Sequence, residues 1–135
     1  MESNDKRNEI VRIFRRYARL GIDGSGLNPI QVYKKIDVLC SSRRSKLDML
    51  SVFDTLRILE LKGDTDTLIA IERVYFYGKA HRITKYELGS RVSALARDQY
   101  CDDRTIYRRL QKARDLFEKI REKEGLILDM SYSSR

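Results

Sequence analysis

Chain breakers are scarce in this sequence. One proline and seven glycines are spread through 135 residues, so long stretches run without a residue that disrupts a helix. Within those stretches apolar side chains recur three and four residues apart, the period of one helical face. No segment alternates apolar and polar residues well enough to compete as a strand. Val74-Tyr-Phe-Tyr77 is rich in strand formers, yet it continues the helical spacing set by Leu68 and Ile71. The fold class implied is all-α.

Glycines and caps divide the chain into elements. A first helix over Asn4 to Leu20 carries Ile10, Phe14, Tyr17 and Ala18 on one face, with Gly21 as a left-handed C-cap. Its arginines (Arg12, Arg15, Arg16, Arg19) read as solvated in preference to phosphate-binding. Residues 22–27 read as a flexible loop, and Asn28-Pro29 is an N-cap followed by proline at the first helical position. The second helix should face inward with Ile30, Tyr33, Ile36 and Leu39 or Cys40, and Ser41-Ser42 should end it or bend the chain. The third runs from about Arg44 to Leu61, led by Leu47, Leu50, Phe53 and Leu56 or Arg57. Leu56, Ile58, Leu59 and Leu61 promise burial on more than one side, and Lys62-Gly63 stops it. Asp64 or Thr65 then caps a fourth helix through Tyr77, with Leu68, Ile71 and Tyr75 inward and Gly78 closing it.

The region from Arg82 to Glu122 is the most informative. Thr84 and Glu87 have capping-box spacing, and the helix they open carries Leu88, Val92, Leu95 and Ala96 to an end near Arg97. Asp98-Gln-Tyr-Cys101 forms a turn. Asp102 or Asp103 caps a longer helix with one apolar stripe, Ile106, Leu110, Ala113, Phe117 and Ile120. Two helices joined by a short turn, the second capped and basic, have the layout of a helix-turn-helix. Opposite the stripe lie Arg104, Arg108, Gln111, Lys112 and Asp115, with Tyr107 on one flank and Arg109 on the other. Arg104 to Arg114 holds five basic residues and no acid. Arginine can grip guanine with two hydrogen bonds and glutamine can do the same for adenine. Arg109, Lys112 and Arg114 are better placed for phosphates beside the groove. Tyr107 can equally pack on the preceding helix, and Glu118 and Glu122 can pair with Arg114 or Arg121 at helical spacing.

Charge supports a polyanion partner. The chain is net +8, and residues 79–123 hold thirteen basic and seven acidic side chains, whereas 47–78 hold three and six. A basic lobe beside a mildly acidic one suits a polyanion binder with a separate partner face. Two cysteines, Cys40 and Cys101, and one histidine, His81, do not make a Cys/His zinc site. No cofactor is expected. Neither a nucleophile with its base at motif spacing nor a phosphate-cradling glycine loop is present, so an enzyme is the least favoured class. His81, between Lys79 and Arg82, reads as exposed. The N-terminus lacks the apolar stretch of a signal peptide, and no run approaches the roughly 20 residues that cross a bilayer. The expectation is a cytoplasmic protein, in a bacterial cell or in the host cytoplasm if phage-encoded, with no membrane partner.

The run Cys101-Asp-Asp-Arg-Thr-Ile-Tyr-Arg-Arg-Leu110, with Ala113 and Phe117 beyond, resembles the second half of sigma-factor-like helix-turn-helices. Ile71-Glu-Arg-Val-Tyr-Phe-Tyr-Gly78 looks like the helix that precedes the motif in region 4 of bacterial sigma factors. Size, helical make-up and the C-terminal motif are similar to the ArpU/RinA-type phage and prophage transcriptional regulators, over residues 65 to 121. The first helix departs from the pattern, because Gly89 and a longer stretch stand where an Ile-Ala pair precedes the turn. The resemblance implies a regulator that binds double-stranded promoter DNA and touches RNA polymerase. By position it places base and backbone contacts at Asp103, Arg104, Tyr107 and Arg108. The organisation expected is a helical N-terminal region over 1–63 for assembly or partner contacts, a DNA-binding helix-turn-helix over 64–124 and a flexible tail over 125–135, frayed after Leu128. A homodimer fits because one recognition helix reads few bases. The alternatives are a small-terminase-like DNA-packaging protein and a helical adaptor that binds RNA polymerase.

Overall fold

The computed structural model describes residues 4–21, 28–78 and 83–133, with side chains as far as residue 125. Six α-helices and a π-helical segment account for the regular structure, and there is no strand among the described residues. The helices are α1 (Asn4–Arg19), α2 (Pro29–Leu39), α3 (Arg43–Leu61), α4 (Thr65–Ala70), α5 (Lys85–Asp98) and α6 (Asp103–Ser133). Helix α4 runs straight into the π-helical turns Ile71–Phe76. None of these helices is long and apolar enough to cross a membrane. The loop 22–27 and His81, with its neighbours Lys79 and Arg82, lie outside the described residues.

The starts of the helices follow their local chemistry. Asn28 and Gln31 exchange side-chain to backbone bonds of 2.9 and 3.0 Å, a complete capping box under Pro29. Ser42 caps α3 through the Ser45 amide, Asp64 caps α4 through Thr67, and Thr84 caps α5 through Glu87. Each such cap stabilises its helix by about 1 kcal/mol. Gly21, Gly63 and Gly78 take φ of 69°, 71° and 85°, the left-handed region that ends a helix without a side-chain clash.

A single hydrophobic core draws on both halves of the chain. Phe14 is its hub, with ring centroids 5.6 Å from Tyr75, 6.3 Å from Phe76 and 5.5 Å from Phe117. Helix α1, the π segment and α6 therefore meet at one aromatic cluster. Full burial of a ring such as Phe14 contributes about 2–3 kcal/mol. No break in this core falls at residue 63. The distal half of α6 lies along α3, with Arg121 3.5 Å from Asp48 and Ser51 3.0 Å from Glu124. That helix continues through Gly125 to Ser133.

Three expectations about which side faces inward need correction. In α2 the buried line is Val32, Ile36 and Cys40, while Ile30, Tyr33 and Leu39 remain exposed. In α3 it is Asp48, Met49, Ser51, Val52, Thr55 and Leu59, with Leu61 exposed and Leu47, Leu50, Phe53 and Leu56 half-buried. The stripe holds three small polar residues, so counting apolar side chains misplaces it. Arg15 is not solvated. It is 1% exposed, and its guanidinium donates to the carbonyls of Tyr75 (2.9 Å), Tyr77 (2.8 Å) and Gly78 (3.2 Å). From the other side Arg91 donates to Val74 O at 2.9 Å. Two cations thus close the carbonyl end of the π segment, the negative pole of its dipole.

Candidate nucleic-acid interface

Helix α5, residues 99–102 and the first four turns of α6 form the candidate interface. Val92, Leu95 and Ala96 of α5 and Ile106, Leu110, Ala113 and Phe117 of α6 are buried in the common core. The turn between the helices is a Schellman motif. Cys101 N donates to Ala96 O at 2.9 Å and Tyr100 N to Arg97 O at 3.3 Å. Its left-handed residue is Tyr100, φ 53°, the one non-glycine at positive φ among the described residues. A side chain there costs about 1–2 kcal/mol relative to a glycine-like backbone. Asp102 stands at the cap position of α6, its carbonyl accepting from Thr105 N at 3.0 Å. The Asp103 carboxylate accepts from the Ser93 hydroxyl at 2.8 Å and ties the two helices together.

Burying the stripe turns the opposite face of α6 outward. Arg104, Arg108 and Gln111 are exposed, and neither arginine has an ion-pair or hydrogen-bond partner among the described residues. Tyr107 is 43% exposed and lies over α5, where its hydroxyl would be 3.9 Å from a Cβ added at Gly89. The glycine that breaks the Ile-Ala pattern therefore lies beside this hydroxyl. Arg97, exposed on the last turn of α5, lines an open cleft of about 550 Å³ with Ser93, Cys101, Asp102, Asp103 and Arg104.

The residues expected to hold phosphates fare differently. Arg114 is not on the surface: it is 6% exposed, and its guanidinium donates to the Tyr75 hydroxyl at 2.6 Å. Its place as a phosphate contact is withdrawn, because at helical spacing it falls on the same side as Leu110 and Phe117. Arg109 is half-buried, donates to the Gln99 side chain and lies 3.7 Å from Asp66. Lys112 pairs with Asp64 yet keeps 63% of its side-chain surface. That pairing, ahead of the opposing effect of burial, holds the Asp64 carboxyl below its usual range. Glu118 pairs with Lys6 at 3.1 Å. Asp103, Arg104, Tyr107, Arg108, Gln111 and Lys112 share one continuous surface, Arg109 borders it, and Arg114 does not belong to it.

Two residues of this region escape a reading by motif. Arg97 sits at the end of a helix read for its apolar face. Tyr100 occupies a turn position whose backbone suits glycine, and the missing glycine in Asp98-Gln-Tyr-Cys101 is the signal that could have marked it. Compared with protein-family models, curated proteins and solved structures, the chain has no match in any of the three.

Proposed function

We propose that the chain is a sequence-specific transcriptional regulator that binds double-stranded DNA through a helix-turn-helix of the sigma region-4-like type, with α6 in the major groove. One observation carries this reading. A helix joined to α5 by a four-residue turn presents Arg104, Arg108 and Gln111 outward with both guanidiniums unpaired among the described residues. Neither has an acid three or four residues away, so nothing at helical spacing competes for the two guanidiniums. In the groove Arg104 and Arg108 would hold guanine O6 and N7, and Gln111 would read adenine. Tyr107 braces the helix against α5. The assignment to phage or prophage genes, and RNA polymerase as a second partner, rest on the sequence resemblance. A homodimer would let two copies of α6 read a two-fold operator.

Selection of bound sequences from a random duplex pool at physiological salt tests the reading. An enriched site supports it, and a palindrome adds the dimer. Arg104→Ala and Arg108→Ala should each weaken binding to the enriched site by roughly 1–3 kcal/mol and relax preference at one base position. Absence of enrichment together with salt-insensitive binding would overturn it in favour of an adaptor.

A further inference from the structure

We propose that Tyr100 is a DNA-contact residue, held out of the turn so that its hydroxyl donates to a phosphate oxygen beside the groove that α6 enters. This rests on the DNA-binding reading and extends it to the turn itself. Tyr100 is 97% exposed, so no packing within the chain explains an aromatic side chain there. Its backbone is left-handed, a conformation that disfavours a side chain.

The chain supplies its own control. Gly63 ends α3 in the same motif, with Asp64 N bonded to Leu59 O at 2.9 Å and Gly63 N to Glu60 O at 3.0 Å. Gly21 and Gly78 fill the other left-handed positions among the described residues. Where only the backbone matters, glycine is used. At residue 100 a strained, fully exposed tyrosine replaces it, and a strained residue at a surface turn points to an external use.

Position and need agree with that use. Tyr100 lies three residues before α6 begins and follows Arg97 by three, so it borders the exposed arginines on both sides in sequence. Cys101, next to it, lines the cleft shared with Arg97 and Arg104. Asp102 and Asp103 line that cleft as well, so its interior is electrically balanced and a phosphate is better received at the exposed turn than inside. Of the three phosphate contacts expected on α6 only Lys112 stays available, since Arg114 is buried and Arg109 is held by Gln99 and Asp66. Tyrosine hydroxyls are among the ordinary donors to DNA phosphates.

Tyr100→Gly separates the two roles of the position. Glycine relieves the turn, so the variant should melt no lower than the wild type, and in the expected case higher. Its affinity for a fluorescently labelled duplex carrying the enriched site should nevertheless fall roughly tenfold to a hundredfold, the effect of one lost hydrogen bond to a charged group. Tyr100→Phe, which keeps the ring, should lose a similar factor. Wild-type affinity in either variant would overturn the contact, as would a loss of affinity that follows a fall in melting temperature. If the wild-type chain binds no duplex at all, the DNA-binding reading fails first. If it binds and Tyr100→Gly binds equally well, only this inference fails.

Discussion

Arg15 shows how far a single side chain can depart from its local context. It shares α1 with Arg12, Arg16 and Arg19, and spacing alone gives it no reason to be treated differently. Its partners are the carbonyls of residues 75, 77 and 78, some sixty positions away, so only the assembled fold reveals them. Burial, then the positive charges of Arg91 and Arg19, lower its pKa, while Glu87 opposes them. A guanidinium stays protonated under such pressure, and the carbonyls around it compensate the charge. Arg15→Ala should therefore lower stability by roughly 3 kcal/mol, because it leaves buried carbonyls without donors and opens a void. Urea denaturation checks this, with the midpoint falling at constant slope. A midpoint within experimental scatter of the wild type would show that the π segment closes without it.

Among elements, what was legible in the sequence was whatever is chemically local. Asn28, Asp64 and Thr84 cap their helices through groups three residues away, and Gly21, Gly63 and Gly78 end theirs by backbone conformation alone, whereas Ser42, read only as closing α2, caps α3. The apolar stripe of α6 was equally legible, since Ile106, Leu110, Ala113 and Phe117 stand against a face of long polar side chains. Orientation failed for α2 and α3, where apolar residues surround the helix and Asp48, Ser51 and Thr55 occupy the buried line. It failed at Arg114 too, because a charged residue on a core face is recognised only by its partner, Tyr75. Element α6 thus carries cations of two kinds, and substitution should separate them. Lys112→Ala should reduce the slope of log affinity against log salt by about one, since an exposed pair with Asp64 is worth at most about 1 kcal/mol and yields easily to a phosphate. Arg114→Ala should leave that slope unchanged and cost about 2–3 kcal/mol of stability. The opposite pattern in paired titrations and melts would reverse the assignments.

At the scale of the whole molecule, the seam between α3 and the distal half of α6 joins the N-terminal helices to the candidate interface. It contains more acid than a helix packing contact needs. Asp48 is buried 3.5 Å from Arg121, and burial raises its pKa despite that arginine. Beside it Ser51 Oγ lies 2.8 Å from Leu47 O and 3.0 Å from Glu124 Oε2. A hydroxyl has one proton for those two acceptors, so a proton on Glu124 satisfies both. Burial first, and the neighbouring Asp54 carboxylate next, push Glu124 from the usual 4.5 up to about 8. Because the folded-state pKa is the higher one, the native chain retains this proton where the unfolded chain has released it. The resulting stability is complete below pH 4.5 and is lost as pH climbs through 8. Glu124 is only half-buried, so solvent screening reduces the loss to about 1–2 kcal/mol. Glu124→Gln keeps the neutral, hydrogen-bonding form at every pH. It should match the wild type near pH 5, exceed it above pH 8, and flatten the decline between them in denaturation curves taken across that range. Asp48 alone cannot mimic this result, because the Gln variant retains it and would then decline in parallel with the wild type.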